Sequence, residues 1–119
     1  ETGRVKVTGI FDGPEMASSE RQMQKSSGSA SATKVAQIEQ LRKVLVAKKS
    51  TPFDPKNPTA LHNFMHDKVV AVDDSILTGS HNFSLSAEHN AENAILIRDG
   101  NLADKYRAYI EKLVKKYGR

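Results

Sequence analysis

The first third of the chain alternates weakly between hydrophobic and polar positions. Residues 4–11 read RVKVTGIF, a pattern typical of a strand with a partly polar face. Residues 12–14 read DGP, which ends that strand. Residues 16–32 are rich in Ser, Gln and Ala, and within them residues 25–32 (KSSGSASA) predict a flexible loop. This part therefore predicts one strand followed by a polar segment.

A helix is predicted after this loop, with Ser31 or Thr33 as its N-cap. An apolar stripe at helical spacing follows, made of Val35, Ile38, Leu41 and Leu45. Residues 44–47 fit a short strand after the helix as an alternative. Three prolines at positions 52, 55 and 58 then predict an extended loop near residues 50–60, because proline lacks an N–H and restricts the residue before it.

The second half of the chain is more apolar and predicts strands. Residues 68–73 (KVVAVD) form a β-branched run, as expected of a strand covered on both faces. A turn leads into a partner strand at residues 76–78, and residues 93–98 (NAILIR) predict a further strand. A final amphipathic helix has Asn101 as its expected cap and an apolar stripe of Leu102, Tyr106, Tyr109, Ile110 and Leu113. The order of elements predicts an α/β fold with a layered sheet and flanking helices.

Composition narrows the possible functions. The 119 residues suggest one small domain, and the absence of cysteine excludes disulfides, thiolate metal sites and a cysteine nucleophile. No run of 18 apolar residues is present, so no transmembrane segment is expected. The net charge of +4 lies in residues 1–59, which hold 10 basic and 6 acidic side chains. These charges fit either a solvated surface or a groove for a nucleic-acid backbone, lined by Lys34, Arg42, Lys43, Lys48 and Lys49.

Candidate chemistry concentrates in the second half. On a strand, His66 and Lys68 share one face, and an imidazole beside a fixed cation suits a phosphate better than a core. Ser80 and Asn82 follow the partner strand and offer a hydroxyl and an amide donor. Glu92 precedes the next strand, where its carboxylate can fix the tautomer of an imidazole.

These residues form a recognisable pattern. His66-Asp67-Lys68, four further residues, Asp73 and then residues 79–82 (GSHN) resemble the HxK(x)4D…GSxN signature of the phospholipase D superfamily. The resemblance is close over residues 60–98. It implies that residues 1–119 form a single, partial phospholipase D-like domain, part of one lobe of that fold. It also implies a metal-independent phosphodiesterase that works through a phosphohistidine, without a cofactor.

The resemblance also implies roles for individual residues. His66 is the nucleophile or the general acid, Lys68 and Asn82 hold the nonbridging phosphate oxygens, and Ser80 supports them. The resemblance implies a catalytic set of His66, Lys68, Asp73 and Glu92 and a substrate-binding set of Lys68, Ser80 and Asn82. Within the catalytic set, Glu92 would orient the histidine. Asp73 falls on the opposite face of an ideal strand and is therefore interpreted as structural. Five residues separate Asp73 from Gly79, where the family usually has six, which predicts a shorter hairpin turn.

One departure from the family pattern concerns completeness. The chain holds one HxK motif, whereas the family's chemistry uses two histidines. The second is expected from a homodimer partner or from a missing motif-bearing half. Residues 79–84 (GSHNFS) and 90–93 (NAEN) look like the second motif of long bacterial chains, so we favour the C-terminal part of a two-motif chain. The absence of an initiator methionine before Glu1 supports this expectation.

Three further questions stay open from sequence alone. Nucleic acid is slightly favoured as the substrate over phospholipid, whose hydrolysis or transfer would resemble that of a phospholipase or a cardiolipin synthase. A truncated phosphate-binding fragment without turnover is the non-enzymatic alternative. His62 and His66 have a spacing that two zinc ligands on a helix could use, but the motif assigns His66 elsewhere, so no metal is expected.

Overall fold

The computed structural model describes residues 5–25, 29–80 and 91–118, with only the main chain for residues 29–31. The chain divides into two units, Glu1–Met65 with Leu113–Arg119 and His66–Lys112. The mixed α/β class is confirmed, with strands in a two-stranded and a three-stranded sheet. No helix in the described part has the length and apolar character needed to cross a bilayer.

The first unit is built on a pair of parallel strands. These are β1 (Ile10–Asp12) and β2 (Val46–Lys48), with Ile10 opposite Val46. Parallel neighbours need a long crossover, which two helices supply here. The strand predicted over residues 4–11 is much shorter in the structure, because β1 begins at Ile10 and residues 5–9 lie outside any strand. The alternative strand at 44–47 is confirmed in β2, displaced by two residues at its start.

The first helix, α1 (Gly13–Lys25), was missed by the sequence pattern. Its cap is Asp12, whose Oδ1 accepts a hydrogen bond from the main-chain N–H of Glu15 at 3.1 Å. The sequence does contain a signal for the start of a helix. It consists of the carboxylate cap, Pro14 in the first turn and Glu15 three residues after the cap. Among the helix residues Met23 is buried, which explains why no apolar stripe announces α1.

The second helix, α2 (Ser29–Val44), begins earlier than predicted. Residues 29–32, expected to belong to a flexible loop, are helical, Lys25 ends α1, and residues 26–28 lie outside the described residues. Ile38 of the predicted stripe is buried, whereas Leu41 is 41% exposed. Arg42 on α2 pairs with Glu20 on α1 at 2.6 Å, which links the two helices.

A long irregular segment follows β2, as its prolines predict. Residues 52–62 form neither helix nor strand, and an isolated antiparallel bridge joins Thr51 to Asn63. His62 lies in this segment between two phenylalanines, edge-on to Phe53 and stacked on Phe64, with ring centroids 5.6 and 6.0 Å away. Its ring therefore has aromatic neighbours within the loop.

The second unit contains an antiparallel sheet in the order β3 (Val69–Val72), β4 (Ser75–Gly79) and β5 (Ala94–Arg98). Ile76 at its centre is completely buried. Val70 and Val72 are 42% and 55% exposed, so the prediction that both faces of this strand are covered is wrong for the described residues.

The hairpin between β3 and β4 is as short as the motif spacing predicts. Val72 pairs with Ser75, which leaves two residues for the turn. Asp73, the first of them, has a positive φ of 51°, a conformation that aspartate adopts more readily than most residues. The shortened spacing is thus absorbed within the turn.

The last helix, α3 (Gly100–Tyr117), begins one residue before its predicted cap. Asp99, rather than Asn101, caps it, because Asp99 Oδ1 accepts a hydrogen bond from the N–H of Leu102 at 3.0 Å. Ala103 is fully buried, and the N–H of Gly118 returns to the carbonyl of Val114 at 2.8 Å. The amphipathic helix is confirmed, and only the cap was misplaced.

Candidate functional site

His66 and Lys68 lie immediately before β3 rather than within it. The strand assumed for these two residues begins only at Val69, so their common face stays a prediction. They are nevertheless coupled, since Lys68 Nζ donates a hydrogen bond to the main-chain oxygen of His66 at 2.8 Å. Lys68 is half-buried, while His66 is exposed. The lysine side chain thus turns back to the residue that carries the imidazole.

Asp67, between these two residues, is tied to α3. Tyr109 Oη donates a hydrogen bond to Asp67 Oδ2 at 2.8 Å. The two residues lie at a shallow depression of about 300 Å³, lined by Asp67, Lys68, Val69, Thr78, Tyr106 and Tyr109. Sequence reasoning placed Tyr109 in the apolar stripe, yet it is 44% exposed and makes a polar contact with the motif.

Ser80 and Glu92 meet beyond the ends of β4 and β5. Ser80 Oγ donates a hydrogen bond to Glu92 Oε2 and accepts one from the N–H of Asn93 at 3.0 Å. A hydroxyl has a single proton, so the bond to Glu92 occupies the donor that the resemblance assigns to phosphate. Ser80 and Glu92 therefore form one polar pair. The predicted action of Glu92 on His66 stays a prediction.

Gly79 permits this close approach of the two strands. Its φ is 155°, and an added Cβ would overlap the main-chain oxygen of Asn93. The N–H of Ser80 donates to that same oxygen at 3.1 Å. A side chain at position 79 would therefore displace the pairing that brings Ser80 to Glu92.

Asp73 lies in the hairpin turn described above. Its main-chain carbonyl accepts a hydrogen bond from Arg107 of α3, and Arg107 also pairs with Asp104 at 2.5 Å. These contacts involve the main chain of Asp73 and are in keeping with its interpretation as a structural residue. Its catalytic role remains a prediction from the motif.

Several sequence-predicted positions cannot be placed. Asn82, with His81 and His89, lies outside the described residues, and its role stays a prediction. Within the described ranges, no three His, Asp or Glu side chains cluster closely enough to hold a metal ion.

A polar cluster around two buried charged side chains of the first unit was missed by sequence reasoning. It consists of the side chains of Asp12, Lys48, Ser50 and Asn63, which we call the Asp12 cluster. Asp12 and Lys48 are only 7% and 8% exposed. Lys48 Nζ donates to Ser50 Oγ at 2.9 Å and to Asn63 Oδ1 at 2.5 Å. Asp12 Oδ2 accepts hydrogen bonds from Ser50 Oγ and, at 2.7 Å, from the N–H of Met65.

Burial and hydrogen bonding act in opposite directions on Asp12. Burial alone would raise the pKa of its carboxyl, because it disfavours the charged form. Hydrogen bonds from Ser50, from the N–H of Met65 and from the N–H of Glu15, together with the charge of Lys48, outweigh burial and lower the pKa below its ordinary value. Asp12 is therefore a carboxylate at neutral pH.

The same cluster revises the basic groove considered above. Lys48 is buried in the Asp12 cluster and does not line an open surface. Arg42 is paired with Glu20, and Lys43 donates to Gln40 Oε1 at 3.3 Å. The predicted groove is therefore wrong in including Lys48.

Comparison with known proteins extends the local resemblance to most of the chain. The family model described as "Cardiolipin synthase, PLD-like domain" matches residues 2–114. A protein of Rickettsia prowazekii named phospholipase D is 51% identical over 43 residues, covering 34% of this chain and 21% of that protein. Proteins of the same name from Rickettsia bellii and Rickettsia typhi are each 49% identical over 43 residues, with the same coverage.

These matches differ in extent. The matched stretch spans about a fifth of the length of the curated relatives, whereas the family model spans nearly the whole chain. No solved structure is significantly similar to the chain. The extent of the family match, together with the motif at His66, Lys68 and Asp73, shows that this chain belongs to the phospholipase D superfamily as a PLD-like domain.

Proposed function

We propose that this chain supplies one catalytic histidine of a metal-independent phosphodiesterase that forms a phosphohistidine intermediate. Membership of the phospholipase D superfamily supports phosphodiester hydrolysis or phosphatidyl transfer as the reaction class. The roles of individual residues are inferred from the motif and from the contacts described above.

The proposed reaction has two steps. In the first, an imidazole nitrogen of His66 attacks phosphorus while the bond from phosphorus to the leaving oxygen breaks. A second histidine, from another copy of the motif, gives that oxygen a proton. In the second step this histidine takes a proton from water or an alcohol, whose oxygen attacks the phosphohistidine and frees His66. His66 and its counterpart exchange these roles if the motif order is reversed.

The observation that carries this proposal is the hydrogen bond from Lys68 Nζ to the main-chain oxygen of His66. It holds an ammonium beside the residue that would attack phosphorus. An ammonium has three N–H donors, so the same group can also contact a nonbridging phosphate oxygen. Charge on these oxygens would then be stabilised by a group whose position is fixed in advance. Asn82 is proposed to contribute a further donor, and the pair of Ser80 and Glu92 to support the site.

Nucleic acid is the proposed substrate, and the net charge of +4 favours a polyanion. Phospholipid is the second candidate, because the matching family is described as a cardiolipin synthase domain and the relatives are named phospholipase D. The second histidine is proposed to come from a second copy of this chain or from another part of a longer protein.

Hydrolysis of bis(p-nitrophenyl) phosphate in the presence of EDTA tests the mechanism. We expect turnover that persists with the chelator and falls by at least about 1000-fold in His66→Ala, because a nucleophile cannot be replaced by its neighbours. If two chains share one site, activity per chain should rise with chain concentration. His62→Ala is the matched control and should keep most of the activity.

Two results would contradict the proposal. Turnover that survives His66→Ala would remove the histidine from the mechanism, and turnover abolished by EDTA would indicate metal chemistry. Parallel assays with single-stranded DNA and with vesicles of phosphatidylglycerol separate the substrate candidates. Release of nucleotides supports the first candidate, and formation of phosphatidic acid or cardiolipin supports the second.

A further inference from the structure

The Asp12 cluster contacts the main chain one residue before the proposed nucleophile. Asp12 Oδ2 binds the N–H of Met65, and Met65 is followed directly by His66. The cluster also holds Asn63, through its Oδ1 to Lys48 and through main-chain bonds with Thr51 at 3.1 and 2.9 Å. Hydrogen bonds thus hold both residue 63 and residue 65 to other parts of the first unit.

The hydrogen bonds of the Asp12 cluster hold the main chain in a defined direction. Burying a carboxylate and an ammonium is costly unless each is hydrogen-bonded, and here both are. Asp12 Oδ1 accepts a hydrogen bond from the first turn of α1, and Oδ2 accepts hydrogen bonds from Ser50 and from the N–H of Met65. A neutral side chain in the same place would fill the space without reproducing these directions. The buried charge is therefore better explained by the geometry it imposes than by packing.

We propose that Asp12 is a positioning residue for His66, acting through the N–H of Met65 to fix the direction in which the main chain enters the proposed nucleophile. This role rests on the proposed function, since it concerns the approach of the His66 imidazole to phosphorus. Ser50 supports it by bonding to the same oxygen of Asp12, and Lys48 supports it by holding Ser50 and Asn63.

The test compares Asp12→Asn and Ser50→Ala with Asp54→Asn in the full chain. Asp54 is an exposed carboxylate of the loop whose Oδ1 accepts a hydrogen bond from the N–H of Lys56, so Asp54→Asn makes the same chemical change outside the cluster. Two readouts are recorded at a temperature where circular dichroism shows every variant folded. They are the ¹H–¹⁵N signals of the His66 ring, and kcat and KM for bis(p-nitrophenyl) phosphate.

For Asp12→Asn we expect shifted His66 ring signals and a kcat lowered at least about tenfold, with KM within about twofold of the wild type. Ser50→Ala should change both in the same direction by less, which keeps the test informative if Asp12→Asn does not fold. Asp54→Asn should change neither. Ring signals and kcat unchanged in folded Asp12→Asn or Ser50→Ala would overturn the positioning role. Shifted ring signals in a protein whose wild type shows no turnover dependent on His66 would instead refute the proposed function alone.

Discussion

The Asp12 carboxylate makes two contacts with different parts of the main chain. One carboxylate oxygen caps α1 and the other binds the main chain at Met65. Its pKa is lowered although burial alone would raise it, because the ionised form is the one that accepts these bonds. At this position the charge state and the local structure are therefore linked.

This linkage predicts a dependence of stability on pH. Because the folded-state pKa of Asp12 is lowered, its contribution is complete above the ordinary pKa of aspartate, about 4, and is lost as pH falls through the folded-state value. The difference in free energy of unfolding between wild type and Asp12→Asn should therefore shrink as the pH is lowered below about 4. Urea unfolding at several pH values measures it, with Asp54→Asn as the reference. A difference that stays constant over this range would show that ionisation of Asp12 does not stabilise the fold.

Among the helices, α3 has two candidate N-cap residues in its sequence. Asp99 is followed by Gly100 and Asn101, and either polar side chain could begin the helix. The structure uses Asp99, whose own N–H also donates to the carbonyl of Asp74 at 2.8 Å. The cap thereby ties the start of α3 to the hairpin turn.

Replacing the cap should weaken this element measurably. Asp99→Ala should lower the free energy of unfolding by about 0.5–2 kcal/mol, because the N–H of Leu102 loses its acceptor. Asp99→Asn should retain most of the stability. Asn101→Ala is the control, and it should change stability by less than Asp99→Ala. A larger loss from Asn101→Ala in urea unfolding would mean that the helix begins at the residue favoured by sequence alone.

On the scale of the whole molecule, the chain divides into two units, each with buried hydrophobic side chains of its own. Ile76 is fully buried within the second unit, and Ile38 and Met23 are buried within the first. Local opening of proteins follows such units, since each loses its own contacts together.

A core truncation should therefore act locally. Ile76→Ala should cost about 2–5 kcal/mol, because it removes the buried side chain at the centre of the three-stranded sheet. Native-state hydrogen exchange should show faster exchange for the strands β3 to β5, with α1 and α2 much less affected. Equal acceleration in both units would show instead that they unfold as one.

Strong local patterns predicted much of the fold. The β-branched run of β3 and the amphipathic stripe of α3 identify their elements directly, and the motif at His66 and Lys68 identifies the family. The pattern of apolar residues did not predict α1, because Met23 is its one buried side chain among the described residues. The capping residue Asp12 was the available sequence signal for this helix.

The parts that could not be predicted depend on contacts between distant residues. The members of the Asp12 cluster lie at positions 12, 48, 50 and 63, and no spacing rule joins them. Likewise, nothing local indicates that Tyr109 would meet Asp67, 42 residues away. Sequence patterns report periodicity within an element, whereas these contacts arise from the path of the chain.

The hydrogen bond from Met65 to Asp12 has a consequence for the order of folding. It closes a loop of 53 residues, whereas the hairpin of β3 and β4 needs only a two-residue turn. Hairpins form in about 1–10 μs. Closing a long loop loses more conformational entropy, and this loss comes before the contacts at its ends can stabilise it. We therefore expect the strand that follows His66 to pair early in folding, and the main chain that precedes His66 to be fixed later. On this expectation, the geometry proposed for His66 would be complete only after Asp12 and Met65, the two ends of this loop, have come together.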